Sequence, residues 1–117
     1  TYGVSLDGDF QTWVYRTDLL GDADEKKAFS DKYGYELAAP KTWKQHDEIA
    51  AFFQRPGKGL FGSTDLRNQG WGYTNWYQRY VSMASPNQFL FDDTGKPLIN
   101  SEQGIAATSE YIASLSH

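Results

Sequence analysis

One short aromatic segment contains the residue types that recognise a carbohydrate. Residues 71–76 read WGYTNW and lie between a predicted short strand and a predicted helix. A pyranose ring has an apolar face of C–H groups and an edge of hydroxyl groups, so its binding site needs a flat aromatic side chain beside fixed hydrogen-bonding groups. In α/β folds, ligands bind outside the carboxyl ends of strands, where this segment would lie.

Trp71 and Tyr73 are the candidates for the stacking surface. Glycines on both sides of Trp71 allow the backbone to approach a ligand closely. Nearby polar side chains could bond to sugar hydroxyls: Asp65, Asn68, Gln69 and Asn75. The alternative is that these aromatic residues fill the core beneath the helix. Trp76 fits both interpretations equally, because it lies on the apolar stripe of the helix, whereas the flanking glycines favour a ligand role for Trp71.

The composition limits the classes of function. The 117 residues suffice for one small domain, and 39% hydrophobic with 16% aromatic residues is enough for a packed core. The net charge of −4 argues against a nucleic-acid partner, since phosphate binding normally needs a basic surface. Without cysteine there is neither a disulfide framework nor a thiolate metal site. No apolar run approaches the roughly 20 residues of a membrane helix.

Signatures of catalysis or of a cofactor are weak. His46 and His117 lack the spacing of a metal-binding pair, so no metal or cofactor is predicted. Residues 57–62 spell GKGLFG, which matches G-x-G-x-x-G, but they follow a helix and lead into a predicted strand. A dinucleotide site needs the reverse order, so we interpret this segment as a turn.

Two pairs of neighbouring aspartates, at positions 7 and 9 and at positions 92 and 93, could suggest the carboxylate dyad of a glycosidase. Both pairs lie in turn sequences, where close acidic residues are usually solvated. A carbohydrate-acting enzyme therefore remains only an alternative. A carbohydrate-binding module that functions alone is the other alternative, because exposed aromatic residues would serve it equally well.

Hydrophobic periodicity predicts a mixed order of strand, helix, helix, strand, helix, hairpin and helix. This order is typical of an α/β or α+β fold. The predicted strands are residues 1–6, 10–15 and 58–63 and a hairpin over 89–99. The predicted helices run over 22–32, from Thr42 to before Arg55, over 73–83 and over 101–115.

Capping residues define the predicted helix ends. Asp22, Thr42 with Gln45, and Ser101 each begin a helix, and Gly34 ends the first one. Trp43 is expected to pack into the core. The last helix is expected to bury its apolar face, which consists of Ile105, Thr108, Ile112 and Leu115.

Three short phrases occur in a fixed order: YRTDLL at 15–20, PKTW at 40–43 and GKPLINSEQGIAA at 95–107. Together they resemble the middle of the family 1 extracellular solute-binding proteins, the sugar-capturing components of bacterial ABC importers. Because members of this family are longer two-lobed chains, the resemblance implies a piece of a larger protein. Residues 1–117 would then be one segment of the C-terminal lobe of a periplasmic binding protein fold, beginning at a strand that crosses between the lobes.

The resemblance also implies a set of ligand-binding residues. In maltose- and oligosaccharide-binding relatives, an aromatic residue at the start of the corresponding helix stacks on the sugar. By motif order that role falls on Tyr73 or Trp71, with Trp76 just inside the helix. An acidic residue before the first phrase contacts sugar hydroxyls, here Asp9 or Asp7. A hairpin over the first 15 residues would instead place both aspartates at a solvated tip.

The function implied by this resemblance is capture of a sugar or oligosaccharide for ABC-type import, without catalysis. The implied partners are the sugar, the membrane permease of the importer and the remaining lobe of the parent protein. The implied location is periplasmic or extracellular, with association to the membrane through the transporter. Polyols, monosaccharides and oligosaccharides all bind to aromatic surfaces with carboxylate or amide partners, so the class of sugar stays open.

Overall fold

The computed structural model describes residues 3, 7–8, 10–86 and 89–117. The chain divides into two compact units, Thr1–Ala39 and Pro40–His117. The structure is 53% helical and only 4% strand. The helical part of the predicted fold is therefore present, whereas most of the predicted strand content is not.

The first unit contains two helices in its described residues, α1 (Thr17–Gly21) and α2 (Ala23–Tyr33). The predicted caps of α2 are confirmed. The Asp22 carboxylate accepts hydrogen bonds from the first backbone N–H groups of the helix, and Gly34 ends it with φ of 80°. Phe29 is fully buried, and its ring contacts two neighbouring tyrosine rings, those of Tyr33 and Tyr35.

The predicted strand over residues 10–15 is not formed. Residues 10–16 adopt neither helix nor strand, and Phe10 and Val14 are exposed. In the described part of the first unit no residue belongs to a strand, so this segment lacks a neighbour for ladder hydrogen bonds, which a strand needs. Apart from Gly3, the predicted strand over residues 1–6 lies outside the described residues.

The second unit contains three longer helices in its described residues: α3 (Trp43–Phe53), α4 (Gly72–Ala84) and α5 (Glu102–Ala113). Single 3-10 turns follow α3 and α5 at Pro56–Lys58 and Ser114–Ser116. The predicted N-caps are confirmed, because the Thr42 hydroxyl accepts a hydrogen bond from the backbone of Gln45 and the Ser101 hydroxyl accepts one from the backbone of Gly104.

The core of this unit lies between α4 and α5. Tyr80 and Ala84 of α4 and Ala107 of α5 are buried together, with three larger side chains packed around them: Trp76, Met83 and Leu90. The Tyr80 hydroxyl donates a hydrogen bond of 2.7 Å to the Phe89 carbonyl oxygen. The buried tyrosine therefore keeps a partner for its polar end, as burial of a hydroxyl requires.

The buried face of α5 differs from the predicted face. Gly104 and Ala107 face the core, whereas Ile105, Ile112 and Leu115 are exposed. Ala107 is buried against Tyr80 and Ala84 of α4. Gly104 is buried where the Ile99 backbone comes too close to leave room for a side chain, so close packing at these two positions decides which face of α5 is buried.

The remaining predicted strands shrink to two isolated bridges. In place of the predicted strand over 58–63, residues 55–60 form a turn closed by the bridge between Arg55 and Leu60, and Phe61 after it is exposed. The predicted hairpin keeps its turn, with one bridge between Phe91 and Pro97. The Asp92 carboxylate holds that turn by accepting hydrogen bonds from Thr94 and Lys96, and the bond from Thr94 contributes most to lowering the pKa of Asp92.

One buried arginine joins the three helices of the second unit. The Arg79 side chain of α4 donates two hydrogen bonds, of 2.8 and 2.7 Å, to the Asp47 carboxylate of α3. A carboxylate oxygen of Glu110, on α5, lies 3.6 Å from Nη1 of the same guanidinium. The Trp43 ring lies 4.2 Å from the guanidinium carbon, a cation–π distance. Arg79 is only 3% exposed, so these partners replace its water.

Two histidines approach the same carboxylate. His46 Nδ1 lies 2.9 Å from Asp47 Oδ1, and His117 Nε2 lies 3.8 Å from that oxygen. Burial acts to raise the pKa of Asp47, and the hydrogen bonds with His46 and Arg79 outweigh it. The pKa of Asp47 therefore lies well below its ordinary value of 3.8.

Replacing Asp47 should destabilise the second unit in a pH-dependent way. Asp47→Asn leaves Arg79 buried without its carboxylate and should cost about 3 kcal/mol near neutral pH, at the low end for a broken buried pair because Glu110 stays nearby. Since the folded-state pKa of Asp47 is below its unfolded value, the unfolded state takes up the proton first as the pH falls. The advantage of the wild type should therefore shrink from about pH 4 downwards.

Urea unfolding of both proteins between about pH 6 and about pH 2 measures this difference. Asp93→Asn, in an exposed turn, is the matched control and should change the free energy of unfolding by less than about 0.5 kcal/mol. If the difference in free energy of unfolding between Asp47→Asn and the wild type stays constant over the whole pH range, the pKa of Asp47 is not lowered in the folded state.

Two glycines offer a second test of the packing. A Cβ at Gly104 would lie 1.9 Å from the Ile99 carbonyl oxygen, whereas a Cβ at Gly57 would have nothing within 4 Å. Because the obstacle at Gly104 is backbone, Gly104→Ala should destabilise the unit by at least about 1–3 kcal/mol. Gly57→Ala should be close to neutral, and thermal melts of the two variants measure the contrast. Equal melting temperatures would contradict the close approach at Gly104.

Candidate functional site

The segment predicted to bind sugar forms the beginning of α4. Trp71 occupies the N-cap position without a side-chain capping bond, and it is 55% exposed. Tyr73 is 67% exposed, and Tyr77, four residues further along the same side of the helix, is also exposed. We call Trp71, Tyr73 and Tyr77 the aromatic surface. It offers water-accessible ring area of the kind that a sugar face covers.

Trp76, the other aromatic residue predicted to bind a ligand, is half-buried and lies apart from the aromatic surface. Its ring stacks on Tyr80 with a centroid distance of 5.2 Å and an angle of 18° between the planes. Its Nε1–H donates a hydrogen bond of 2.9 Å to the Thr108 hydroxyl of α5. Thr108 in turn donates to the Gly104 carbonyl oxygen. Trp76 therefore packs between α4 and α5, since both its ring and its polar atom have partners there.

Two of the polar residues predicted as sugar partners are used within the loop before α4. The Asp65 carboxylate accepts two hydrogen bonds from the Arg67 guanidinium, of 2.6 and 2.9 Å. The Asn75 side chain donates to the Leu66 carbonyl oxygen at 3.1 Å. Asn68 and Gln69 are exposed beside Trp71. They are the polar side chains of this loop that best fit a role in contacting hydroxyl groups.

Arg67 and Tyr111, which the sequence did not single out, fasten this loop to α5. Arg67 Nη1 donates to the Tyr111 carbonyl oxygen at 2.9 Å, and Nη2 donates to the Ser114 hydroxyl at 2.7 Å. The Tyr111 hydroxyl donates to the Gly72 carbonyl oxygen at 3.1 Å. The two bonds from Arg67 join residues 44 and 47 positions apart in the sequence. Local sequence patterns carry no signal for pairs so far apart.

The glycines beside Trp71 have structural roles. Gly70 has φ of 93°, in the left-handed region that favours glycine. A Cβ at Gly72 would lie 3.1 Å from the Arg67 carbonyl oxygen, so the absence of a side chain lets the loop close tightly. The sequence attributed both glycines to a close approach of backbone to ligand. The structure shows that the turn itself requires them.

The predicted acidic contacts fall in the first unit. Asp7 is exposed, and its carboxylate accepts a hydrogen bond of 2.8 Å from the Gly8 N–H. Asp9 lies outside the described residues. Trp43, predicted to pack into the core, is half-buried in the second unit and donates from Nε1 to the Ser82 hydroxyl at 3.1 Å.

Within the described residues, no three histidine, aspartate or glutamate side chains gather in a way that could hold a metal ion. None of the helices among these residues has both the length and the apolar character needed to span a membrane. Comparison of the chain with protein-family models, with curated proteins and with solved structures finds no match in any of the three.

The different environments of Trp76 and Trp71 predict unequal losses of stability when each is replaced by alanine. Trp76→Ala removes a half-buried ring together with its stacking on Tyr80 and its hydrogen bond. It should lower the free energy of unfolding by about 3 kcal/mol or more. Trp71→Ala removes an exposed ring and should change the free energy of unfolding by less than about 0.5 kcal/mol. Urea unfolding of both variants measures the difference. Equal destabilisation would contradict the division of these residues into core and surface.

Proposed function

We propose that this chain binds a carbohydrate and does not alter it chemically. The supporting observation is the exposure of Trp71 and Tyr73 at the start of α4. Contact between an exposed aromatic ring and water is unfavourable. The C–H face of a bound sugar would cover the ring and remove this contact with water. Asn68 and Gln69 beside them supply amide groups for the hydroxyl edge of the sugar.

The three ordered phrases of the sequence support a more specific form of this proposal. The chain would be a segment of the sugar-binding component of a bacterial ABC importer, within the C-terminal lobe of a two-lobed α/β protein. Its partners would be the remaining lobe and the membrane permease, and its location would be periplasmic or extracellular. Asp7 or Asp9 would supply the acidic contact to the sugar that the resemblance implies.

The exposed isoleucines of α5 also support a larger parent protein. Ile105 and Ile112 are exposed on this helix, and Leu115 is exposed in the 3-10 turn that follows it. Apolar side chains repeated along one helix normally face other protein. The remainder of a lobe would cover them, so this surface fits a chain that functions as part of a larger fold.

The mechanism that follows is hinge closure. A binding protein of two lobes closes when its ligand contacts both lobes, because only the closed state gains both sets of contacts. In this proposal the aromatic surface is one wall of the cleft. No residue of the chain is required to transfer a proton or to form a covalent bond.

Substitutions on the aromatic surface should weaken sugar binding more than they affect folding. Trp71→Ala should remove about 0.5–1.5 kcal/mol of binding free energy beyond area burial, which weakens affinity about two- to tenfold. Trp43→Ala is the matched control and should instead lower stability by about 3 kcal/mol, because its ring packs under Arg79. Calorimetric titration with glucose, maltose and cellobiose, beside thermal melts, separates the two effects.

This titration is best performed on the chain and on a longer protein that contains it. Product analysis of the same sugars tests for hydrolysis, and turnover would replace binding by an enzymatic function. Unchanged affinity in both Trp71→Ala and Tyr73→Ala, for the sugar that the wild type binds best, would show that the aromatic surface is not the site.

A further inference from the structure

We infer that Arg67 and Tyr111 form a clamp that holds residues 67–72 in one conformation and thereby positions Trp71. The effect of this clamp on ligand binding rests on the function proposed above, whereas its effect on the loop does not. Arg67 and Tyr111 are both partly buried, and neither belongs to the aromatic surface. They are therefore positioning residues.

The position of the Arg67 side chain is determined by several contacts at once. Its Nε and Nη2 atoms bond the Asp65 carboxylate, and Nη1 and Nη2 bond the Tyr111 carbonyl oxygen and the Ser114 hydroxyl. The guanidinium carbon lies 4.3 Å from the centre of the Tyr111 ring. A planar guanidinium that bonds at its edge and stacks on its face has little freedom to move.

Tyr111 holds both ends of the loop. Its carbonyl oxygen accepts from Arg67, and its hydroxyl donates to the Gly72 carbonyl oxygen. Between these two points the Asn68 carbonyl oxygen accepts from the N–H groups of Trp71 at 3.2 Å and Gly72 at 3.0 Å. Trp71 therefore stands on a tight turn whose two ends are attached to the same residue of α5.

This arrangement suits a side chain that must be exposed and still point in one direction. An exposed tryptophan on a free loop would have to be ordered when a ligand binds, and ordering a side chain and its backbone opposes binding. The clamp orders the backbone in advance, through contacts made on the side of the loop that faces α5. Weakening the clamp should thus lower affinity without removing any group that touches the ligand.

The test uses two conservative variants. Tyr111→Phe removes the hydroxyl bond to Gly72 and keeps the ring beneath Arg67, and Arg67→Lys keeps the charge but loses the fork and the stacking. The control is Arg16→Lys, because Arg16 also bonds the carboxylate of an aspartate two residues away, on the exposed surface of the first unit. Amide hydrogen exchange of residues 68–72 is compared with exchange in the middle of α4.

We expect exchange over residues 68–72 to rise about five- to tenfold in Tyr111→Phe, which corresponds to loss of one hydrogen bond, and further in Arg67→Lys. Exchange in the middle of α4 should change much less, and Arg16→Lys should leave both regions unchanged. Unchanged exchange over 68–72 in both variants would overturn the clamp. So would an equal rise throughout α4 and α5, since this would show a purely global loss of stability.

A second readout follows Trp71 itself. In protein labelled with 5-fluorotryptophan, the resonance that disappears in Trp71→Phe identifies this side chain. Tyr111→Phe should shift or broaden that resonance and leave those of Trp43 and Trp76 in place. If the Trp71 resonance is unaffected while exchange over 68–72 rises, the clamp orders the backbone but does not position the ring, and the inference fails.

Maltose serves as the probe for the effect on binding. Tyr111→Phe should weaken maltose binding about two- to fivefold, with unchanged binding in Arg16→Lys. Loosened exchange with unchanged maltose affinity would overturn the positioning role. If wild type binds neither maltose nor the other sugars, the proposed function fails, and the exchange and fluorine measurements still decide whether the clamp exists.

Discussion

The buried ion pair between Arg79 and Asp47 is the interaction on which the second unit depends most. A guanidinium that is 3% exposed must find all its partners within the protein. It finds them on the other two helices of the unit: the Asp47 carboxylate and the Trp43 ring on α3, and the Glu110 carboxylate on α5. Because the fork of hydrogen bonds is directional, it sets how α4 lies against α3. An apolar side chain at position 79 could bury a similar area, but it would make no directional hydrogen bonds to orient α4 against α3.

The orientation of α4 divides its aromatic residues into two groups. Trp76 and Tyr80 stack on each other and face α5, where the small side chain of Ala107 is buried in the same cluster. Tyr73 and Tyr77 remain exposed on the helix, and the loop that carries Trp71 is fastened to α5. The packing of α5 therefore acts on both groups. It supplies the small surface that accepts the buried rings, and it holds the loop from which the exposed ring projects.

Local signals predicted the helices well and the strands poorly. Asp22, Thr42 and Ser101 cap helices as predicted, because a side chain that bonds the first free N–H groups acts within three residues of itself. The predicted strands at 10–15 and 58–63 did not form, because alternation indicates only that a segment could pair. Whether it pairs depends on a neighbouring strand, which no local pattern specifies.

The candidate site also combines features that the sequence predicts with features that only helix packing decides. From the amino-acid order alone, it was possible to recognise a glycine-flanked tryptophan before an aromatic helix, and the exposure of Trp71 agrees with that interpretation. The order of residues did not predict that Trp76 stacks on Tyr80, that Asp65 binds Arg67 or that Tyr111 binds Gly72. Capping and turn formation involve neighbours in the chain, so residue identity suffices to predict them. Burial and long-range hydrogen bonds arise only when helices pack, and which face packs depends on the shapes of side chains far apart in the sequence.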